Sequence, residues 1–171
     1  DITSKPDAPF LGASLGISRL CATCEGVFAN VSFKDGDAVN AFAAMMLEVE
    51  KMKRFGFTDG EVERAKAKIM SHYERAVEAA PTRKNADFVR PLLNAFYHNE
   101  SYMDPETELQ VAQMICSQLN AAMLSQIAAS MITDENMVVL YNGPEKEGLV
   151  NPTQEELAAV IAAVKTAEIE A

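Results

Sequence analysis

The histidines are the first residues to test for chemistry, because a histidine beside carboxylates can hold a metal ion. His72 is followed by Glu74 and Glu78 in the stretch GFTDGEVERAKAKIMSHYERAVEAA. Metal-binding helices place two ligands four residues apart, or use H-x-x-E-H, so that both side chains reach one ion. His72 and Glu74 point in different directions on a helix, and the other histidine, His98, is 26 residues further on. The sequence therefore predicts no metal ligand and no catalytic residue in this chain.

Two of the three cysteines, Cys21 and Cys24, have the C-x-x-C spacing found in zinc sites and redox-active thiols. A zinc ribbon needs a second pair, and the remaining cysteine, Cys116, stands alone in the sequence. A thioredoxin-type site needs its first cysteine at the start of a helix, whereas this pair flanks an expected hairpin turn. Two interpretations stay open: ordinary reduced thiols at a hairpin end, or a reversible local disulfide in a thiol-redox module.

Charge and hydropathy exclude two classes of partner. The net charge of −10 repels phosphate backbones and anionic membrane surfaces, so a nucleic acid is not expected as a partner. The longest apolar runs, AFAAMML and LAAVIAAV, are much shorter than the roughly 20 residues of a membrane-spanning helix. Gly12 and Gly16 lie in a strand pattern that does not lead into a helix, so they are not expected to bind phosphate, and no cofactor is predicted.

The length of 171 residues and the apolar fraction of 49% are sufficient for one sizeable core, so residues 1–171 are predicted to form a single domain. The chain begins with Asp1 and stops inside a helical pattern, which favours an internal fragment of a longer polypeptide. A mature chain freed of its signal peptide is the alternative. Residues 150–171 are interpreted as a linker helix toward a following domain.

Three strands are predicted, two from a period of two and one from a short apolar run. Residues 11–17 and 27–33 alternate apolar and small or polar residues, which predicts a half-buried antiparallel hairpin over residues 11–34 with a turn near Thr23 to Gly26. The short β-branched run from Met137 to Tyr141 predicts a buried strand. We expect this strand to join the hairpin in one sheet with helices on one face.

Helical periods and capping residues predict the rest of the fold. Asp37 is placed to cap a first helix that ends near Gly56, and Thr58 with Glu61 forms a capping box for the second. Three further helix starts are predicted at Asp104, at Asn120 and at the capping box of Thr153 with Glu156, and another helix is expected over Lys84 to His98 despite Pro91. Because strands and helices are segregated along the chain, the predicted fold class is α+β with a small antiparallel sheet packed against several helices.

Three segments, APFLGASLG, GFTDGEVERAKAKI and MVVLYNGPEKEGLVNPTQEEL, together resemble the insulinase/pitrilysin family of zinc metallopeptidases. The resemblance is to the second, non-catalytic domain and covers Ala8 to Leu157. It implies a parent enzyme in which homologous α+β domains enclose a chamber, with zinc held by H-x-x-E-H in the first domain. This sequence contains no H-x-x-E-H, so the resemblance transfers no metal ligand and no catalytic residue to it.

By this resemblance, the chain is expected to be a non-catalytic structural domain that forms part of the wall of a substrate chamber. The implied partners are the catalytic domain of the same polypeptide and, in the parent, a peptide substrate. An inactive family member that serves as an assembly or interaction module is the alternative. The family domain starts with a strand and helices before APF, so we expect an uncovered sheet edge or apolar surface, which is also a route to homo-oligomers. The resemblance favours a bacterial cell envelope or periplasm.

Overall fold

The computed structural model describes residues 8–21, 23–99, 101–133 and 135–170. By their backbone contacts the residues form two compact units, Asp1–Gly56 with Ser125–Ala171, and Phe57–Leu124. The described elements are the strands β1 (Gly12–Cys21) and β2 (Cys24–Ser32), the helices α1 (Ala38–Phe55), α2 (Asp59–Ala79), α3 (Asn85–His98), α4 (Pro105–Gln118), α5 (Ala121–Met131) and α6 (Gln154–Thr166), and a 3-10 turn at Ala80–Thr82. This composition confirms the predicted α+β class.

The first unit contains the sheet. Strands β1 and β2 form an antiparallel hairpin whose register runs from Gly12 opposite Ser32 to Cys21 opposite Cys24. Helix α1 packs against β2, and α6 packs against α1. The buried side chains come chiefly from α1, where Ala41 is completely inaccessible to solvent. The core of this unit therefore lies between the two helices and β2.

The hairpin differs from its prediction in two ways. Its loop lies between Cys21 and Cys24, so the turn predicted near Thr23 to Gly26 is placed too late; Gly26 is inside the ladder, opposite Ser18. The face of β1 that was predicted to be half-buried is largely exposed, with Ile17 at 59%. The physical reason is that alternation favours a strand but does not supply an element to cover its apolar face.

The predicted third strand is not formed. Among the described residues the sheet has two strands, and Met137 to Tyr141 is outside any strand. Val138 and Leu140 are 78% and 90% exposed, so the expectation of a buried strand is wrong. A groove lies between this segment and β2. A direct ladder would require the two backbones to lie about 4.8 Å apart.

The helix starts follow the predicted capping residues closely. The capping boxes of Thr58 with Glu61 and of Thr153 with Glu156 are both present, and the Asp104 side chain accepts a hydrogen bond from the Thr107 N–H at 2.9 Å. Asn120 accepts one from the Met123 N–H at 2.9 Å. Asp37 occupies the expected cap position of α1, but its side chain makes no capping hydrogen bond.

The second unit is helical. Helices α2 and α4 pack against each other, and Val62 and Ala112 are buried there. Helix α3 begins at Asn85 and contains Pro91, as predicted. Its apolar side chains are largely exposed, however, with Leu92 at 51% and Phe96 at 80%. Amphipathic spacing thus identified the helix correctly, but the surface that would cover its apolar face is not supplied by the described part of this unit.

Replacing Thr58 with alanine is expected to destabilise the second unit by about 1 kcal/mol, because an N-cap hydroxyl satisfies a backbone N–H that α2 otherwise leaves unpaired. Thr58→Ser keeps the hydroxyl and is the matched control. Denaturant unfolding followed by the helical circular dichroism signal measures both. Equal free energies of unfolding for the alanine and serine variants would contradict this account of the cap.

The same capping box is expected to depend on pH. The Thr58 N–H, which donates to the Glu61 carboxylate at 2.9 Å, is the main reason that the pKa of Glu61 is lowered, and the Thr58 hydroxyl acts in the same direction. A lowered pKa in the folded state contributes stability above the unfolded pKa. This contribution is lost as the pH falls through the folded pKa of Glu61. Repeating the unfolding measurement of wild type and Glu61→Gln across the acidic range tests it, since the difference between them should shrink in acid.

Candidate docking groove

A partly open groove of about 960 Å³ lies in the first unit. It is lined by β2, by residues 131–133 and 135–142, and by apolar side chains of α1 and α6. Helix α1 contributes Phe42 and Met45, and α6 contributes Ile161 and Val164. The two helices thus give the groove an apolar surface.

The groove runs along β2. Every residue of β2 contributes to its lining, and Leu15 and Leu20 of β1 also line it. Successive residues of a strand point to opposite faces, and a residue can line a groove through its backbone as well as through its side chain. Strand β2 pairs with β1 along one edge, and the described residues supply no strand for the other. The uncovered sheet edge expected from the sequence is present here.

The opposite wall is also polypeptide without backbone partners. Residues 135–142 line the groove continuously, and no backbone–backbone hydrogen bond is made by Met137 to Tyr141 within the described parts of the chain. Buried backbone N–H and C=O groups are nearly always paired in folded proteins, and exposed ones such as these are left to pair with water or with another chain segment. The groove therefore has two walls of unpaired backbone beside an apolar surface.

Side-chain contacts hold these elements in place. Arg54 at the end of α1 donates hydrogen bonds to the backbone carbonyls of Lys165 and Ala167, both at 2.9 Å, and its Nε donates to Glu50 at 2.7 Å. The guanidinium of Arg54 therefore ties the end of α6 to α1. This arrangement fixes the two helices that line the groove.

The two walls of the groove are joined by aromatic stacking. The rings of Phe33 and Tyr141 stack with centroids 6.1 Å apart, and the Tyr141 hydroxyl donates to Asn151 at 2.8 Å. Nearby, Lys146 forms an ion pair with Asp35. These contacts hold residues 137–141 beside the end of β2 without forming a ladder between the two backbones.

The charged residues that line the groove have both signs. They are Glu25, Glu50, Lys53, Glu135 and Lys165. A site for phosphate or for a metal ion concentrates charge of one sign, whereas this groove combines apolar side chains with unpaired backbone. Those features fit an extended polypeptide, because a strand added at a sheet edge pairs its backbone and buries alternate side chains.

The histidines lie in the second unit. His72 is on α2, exposed, with its ring in edge contact with Tyr73 at 5.5 Å, and His98 is the exposed last residue of α3. Within the described ranges, no group of three or more His, Cys, Asp or Glu side chains is placed to hold a metal ion. That this chain has no site residues stays a prediction.

None of the described helices combines the length and the apolar character that a membrane-spanning helix needs.

The cysteines are separated by the fold. Cys21 and Cys24 face each other at the loop end of the hairpin, both exposed, and Cys116 is partly buried on α4 in the other unit. All three are free thiols. The structure thus pairs the two cysteines of the C-x-x-C across two strands, and Cys116 belongs to the second unit.

The arrangement of the described elements is that of an insulinase-type metallopeptidase fold. No protein-family model matches the chain, and no curated protein is significantly similar to it in sequence. The evidence for this fold is therefore structural similarity.

Three solved structures that the chain resembles are described as proteases. The periplasmic protease PqqL from Escherichia coli aligns with 99% of this chain at 17% identity and a TM-score of 0.80. A separate structure of the first half of PqqL aligns with 76% of the chain at 18% identity and a TM-score of 0.69. A protein described as a predicted insulinase-family protease from Yersinia pestis aligns with 95% at 13% identity and a TM-score of 0.72. The alignments cover 19%, 28% and 35% of those three chains, respectively.

The groove between β2 and residues 137–141 was not predicted from the sequence. The signal was present in the run MVVLYNG, whose β-branched residues favour a strand although the pattern of this chain offers it no certain partner. An extended segment and an open strand edge that do not pair with each other indicate a position for a third segment between them.

Proposed function

We propose that this chain is a non-catalytic structural domain of a zinc-dependent peptidase, where it forms part of the wall of the substrate chamber. Its role is to position other parts of the enzyme. The groove between β2 and residues 137–141 is the docking surface for an extended segment of the catalytic part of the same polypeptide. The solved structures that share the fold are longer proteases, which supports a partner within one polypeptide.

The two unpaired backbone walls of the groove carry this proposal. An apolar cleft alone would suit many ligands, but backbone donors and acceptors on both sides select a peptide backbone as the complement. One inserted strand would pair with β2 on one side and with residues 137–141 on the other. Its alternate side chains would cover the apolar residues of α1 and α6.

The exposed apolar side chains support a buried role in a larger assembly. Leu11, Leu15 and Leu20 of the hairpin region and Val138 with Leu140 are all exposed. Single exposed apolar residues are common, but contiguous apolar surface marks an interaction site. The groove and the uncovered face of β1 belong to the same unit, so its contacts with the rest of the enzyme extend beyond one inserted strand.

Zinc is assigned to the catalytic domain of the parent and not to this chain. The residues present do not fit a zinc site, because the sequence lacks H-x-x-E-H and the two histidines are on different helices, each exposed. A periplasmic location is proposed together with this function, since PqqL is a periplasmic protease.

The docking proposal is tested by separating the chain from the remainder of its parent polypeptide and mixing the two. The expected result is a one-to-one complex in gel filtration and a gain of peptidase activity over the remainder alone. If the chain does not associate, or associates only with itself, the docking proposal fails. If a complex forms but the intact parent cleaves no peptide, the function is that of the alternative, an assembly module without peptidase activity.

Zinc uptake and peptide cleavage by the chain alone form a separate prediction. We expect substoichiometric zinc after incubation with the metal and removal of the excess, and no cleavage of a mixed peptide library. Metal analysis by mass spectrometry measures the first quantity. Stoichiometric zinc that is lost in the double variant His72→Ala, His98→Ala would contradict the assignment of this chain as non-catalytic.

A further inference from the structure

The loop end of the β1–β2 hairpin brings two thiols together. Cys21 and Cys24 are directly opposite each other in the antiparallel register, and they are separated in sequence by Ala22 and Thr23. Both are exposed free thiols. The pairing of two cysteines at this position does not depend on the proposed function, although Cys24 also lines the end of the groove.

The spacing between opposite residues in an antiparallel pair suits a disulfide. Such residues have Cα atoms about 4.5 or 5.5 Å apart, depending on the type of pair, and disulfides bridge Cα atoms about 4.4–6.8 Å apart. Both types of pair fall within that range. Cys21 and Cys24 are the last pair of the ladder, beyond a shift of register that follows Arg19, and their pairing places the two cysteines on adjacent strands at the hairpin tip.

The local environment favours the thiolate form of Cys21. The backbone N–H of Thr23 is the main cause that lowers the pKa of Cys21, and the Thr23 hydroxyl, 3.7 Å from the Cys21 sulfur, acts in the same direction. The backbone and side chain of Cys24 lower it further, which is consistent with Cys24 lying within reach of the Cys21 sulfur. The thiolate is the form that attacks disulfides.

Neighbouring charges hold the strands in register beside this pair. Arg19 and Glu25 are opposite each other in the ladder, and two guanidinium nitrogens of Arg19 donate to one Glu25 oxygen at 2.9 and 3.0 Å. The charges of Arg19 and Glu25 are therefore directed at each other. This ion pair holds the regular part of the ladder, and a shift of register between Arg19 and Cys21 separates it from the Cys21–Cys24 pair.

We propose that Cys21 and Cys24 are a redox-active dithiol that forms a reversible intramolecular disulfide by exchange with a small-molecule disulfide. The Cys21 thiolate attacks one sulfur of the oxidant, which leaves Cys21 in a mixed disulfide and releases one reduced thiolate. Cys24 then loses its proton to water and attacks the Cys21 sulfur, which releases the second reduced thiol. In sum, two protein thiols are oxidised to one disulfide and one oxidant disulfide is reduced to two thiols.

The disulfide closes a loop of two residues at an exposed tip, so it constrains the unfolded chain much less than a long-range bond would. Its formation therefore follows the redox potential of the surroundings, with little effect on the stability of the unit. Oxidation replaces two thiols at the hairpin tip with a covalent bond between β1 and β2.

The test incubates the protein with oxidised glutathione and measures intact and peptide masses. The expected product has lost two hydrogens, and the peptide map joins Cys21 to Cys24. Cys116→Ser is the matched control and is expected to give the same product. Cys24→Ser is expected to stop at a stable mixed disulfide with glutathione on Cys21, and dithiothreitol should restore the thiols of every variant.

A second measurement separates the effect of the Thr23 hydroxyl on the reactivity of Cys21 from the effect of solvent exposure. Thr23→Val removes the hydroxyl that lowers the pKa of Cys21. The first exchange step is expected to slow roughly threefold for each unit by which that pKa rises, because the thiolate fraction falls faster than the nucleophilicity of the thiolate increases. Thr23→Ser should restore the wild-type rate. Three results would overturn the proposal: both thiols unreacted under these conditions, a lasting glutathione adduct in the wild type, or a disulfide that includes Cys116 or a second copy.

Discussion

Replacing Ile161 with glutamate is expected to weaken the association between this chain and the remainder of its parent protease by roughly 30-fold or more. Ile161 lies on α6 and lines the groove beside β2. An inserted strand would bury the new carboxylate without a partner, which costs at least about 2 kcal/mol. Glutamate is a good helix former, so the α6 backbone should be retained. Isothermal titration of the remainder with each variant measures the dissociation constant.

Ala162→Glu is the matched control for this prediction. It adds the same charge at the neighbouring position of α6, where the side chain is exposed and does not line the groove. We expect a dissociation constant close to that of the wild type. Equal weakening by both substitutions would show that charge alone drives the effect, and no weakening by either would show that the groove is not the docking surface. Circular dichroism confirms that both variants keep their helices.

The second large effect is expected at Gly56, where alanine should reduce the free energy of unfolding of the first unit by about 3 kcal/mol or more. Gly56 has a φ of 69° and a ψ of −144°, a conformation that costs about 1–3 kcal/mol for other residues. A Cβ atom there would also fall on the side chain of Ser125. Relieving that overlap in a packed site typically costs a further 1–3 kcal/mol, by rough estimate.

Alanine substitutions at two other glycines separate the cost of backbone strain from the cost of the overlap with Ser125. Gly36 has a φ of 89° with open space around its Cβ position, and Gly12 has neither a positive φ nor a neighbour within 4 Å. Gly36→Ala should therefore cost the backbone strain alone, and Gly12→Ala should have little effect. Denaturant unfolding of the three variants gives the comparison. A Gly56 variant no less stable than the Gly36 variant would contradict the close contact with Ser125.

Gly56 also lies at a boundary of the first unit. Gly56 and Ser125 are the residues at which the chain leaves and re-enters the first unit. The Gly56 N–H donates to the Met52 carbonyl at 2.9 Å, which closes α1 before the chain moves on to α2. The sequence pattern predicted the end of α1 at this glycine, but the proximity of Ser125, far along the chain, required the folded structure.

Local features of the fold were predictable because their causes are local. A cap depends on a few consecutive residues, so Thr58, Asp104 and Thr153 were recognised from their own neighbours. The ion pair between Glu50 and Arg54 on α1 is likewise an i,i+4 relation. Asp37 is the exception, since its position was right but its side chain makes no capping bond.

The predicted non-catalytic role depends on a different kind of information. The motif segments led to a resemblance, and the structure bears out the insulinase-type fold at 13–18% identity. Neither the role nor the zinc of a parent enzyme is tested by the fold. The experiments on association, zinc uptake and peptide cleavage address them directly.

By itself, the sequence determined the helix boundaries, the existence of the hairpin and the α+β class, because hydrophobic period, caps and strand propensity act over a few residues. Only the tertiary structure decided that Met137 to Tyr141 lies outside the sheet and that, among the described residues, the open edge belongs to β2. Strand pairing joins residues far apart in the chain, and a run such as MVVLY favours extended backbone without specifying its partner.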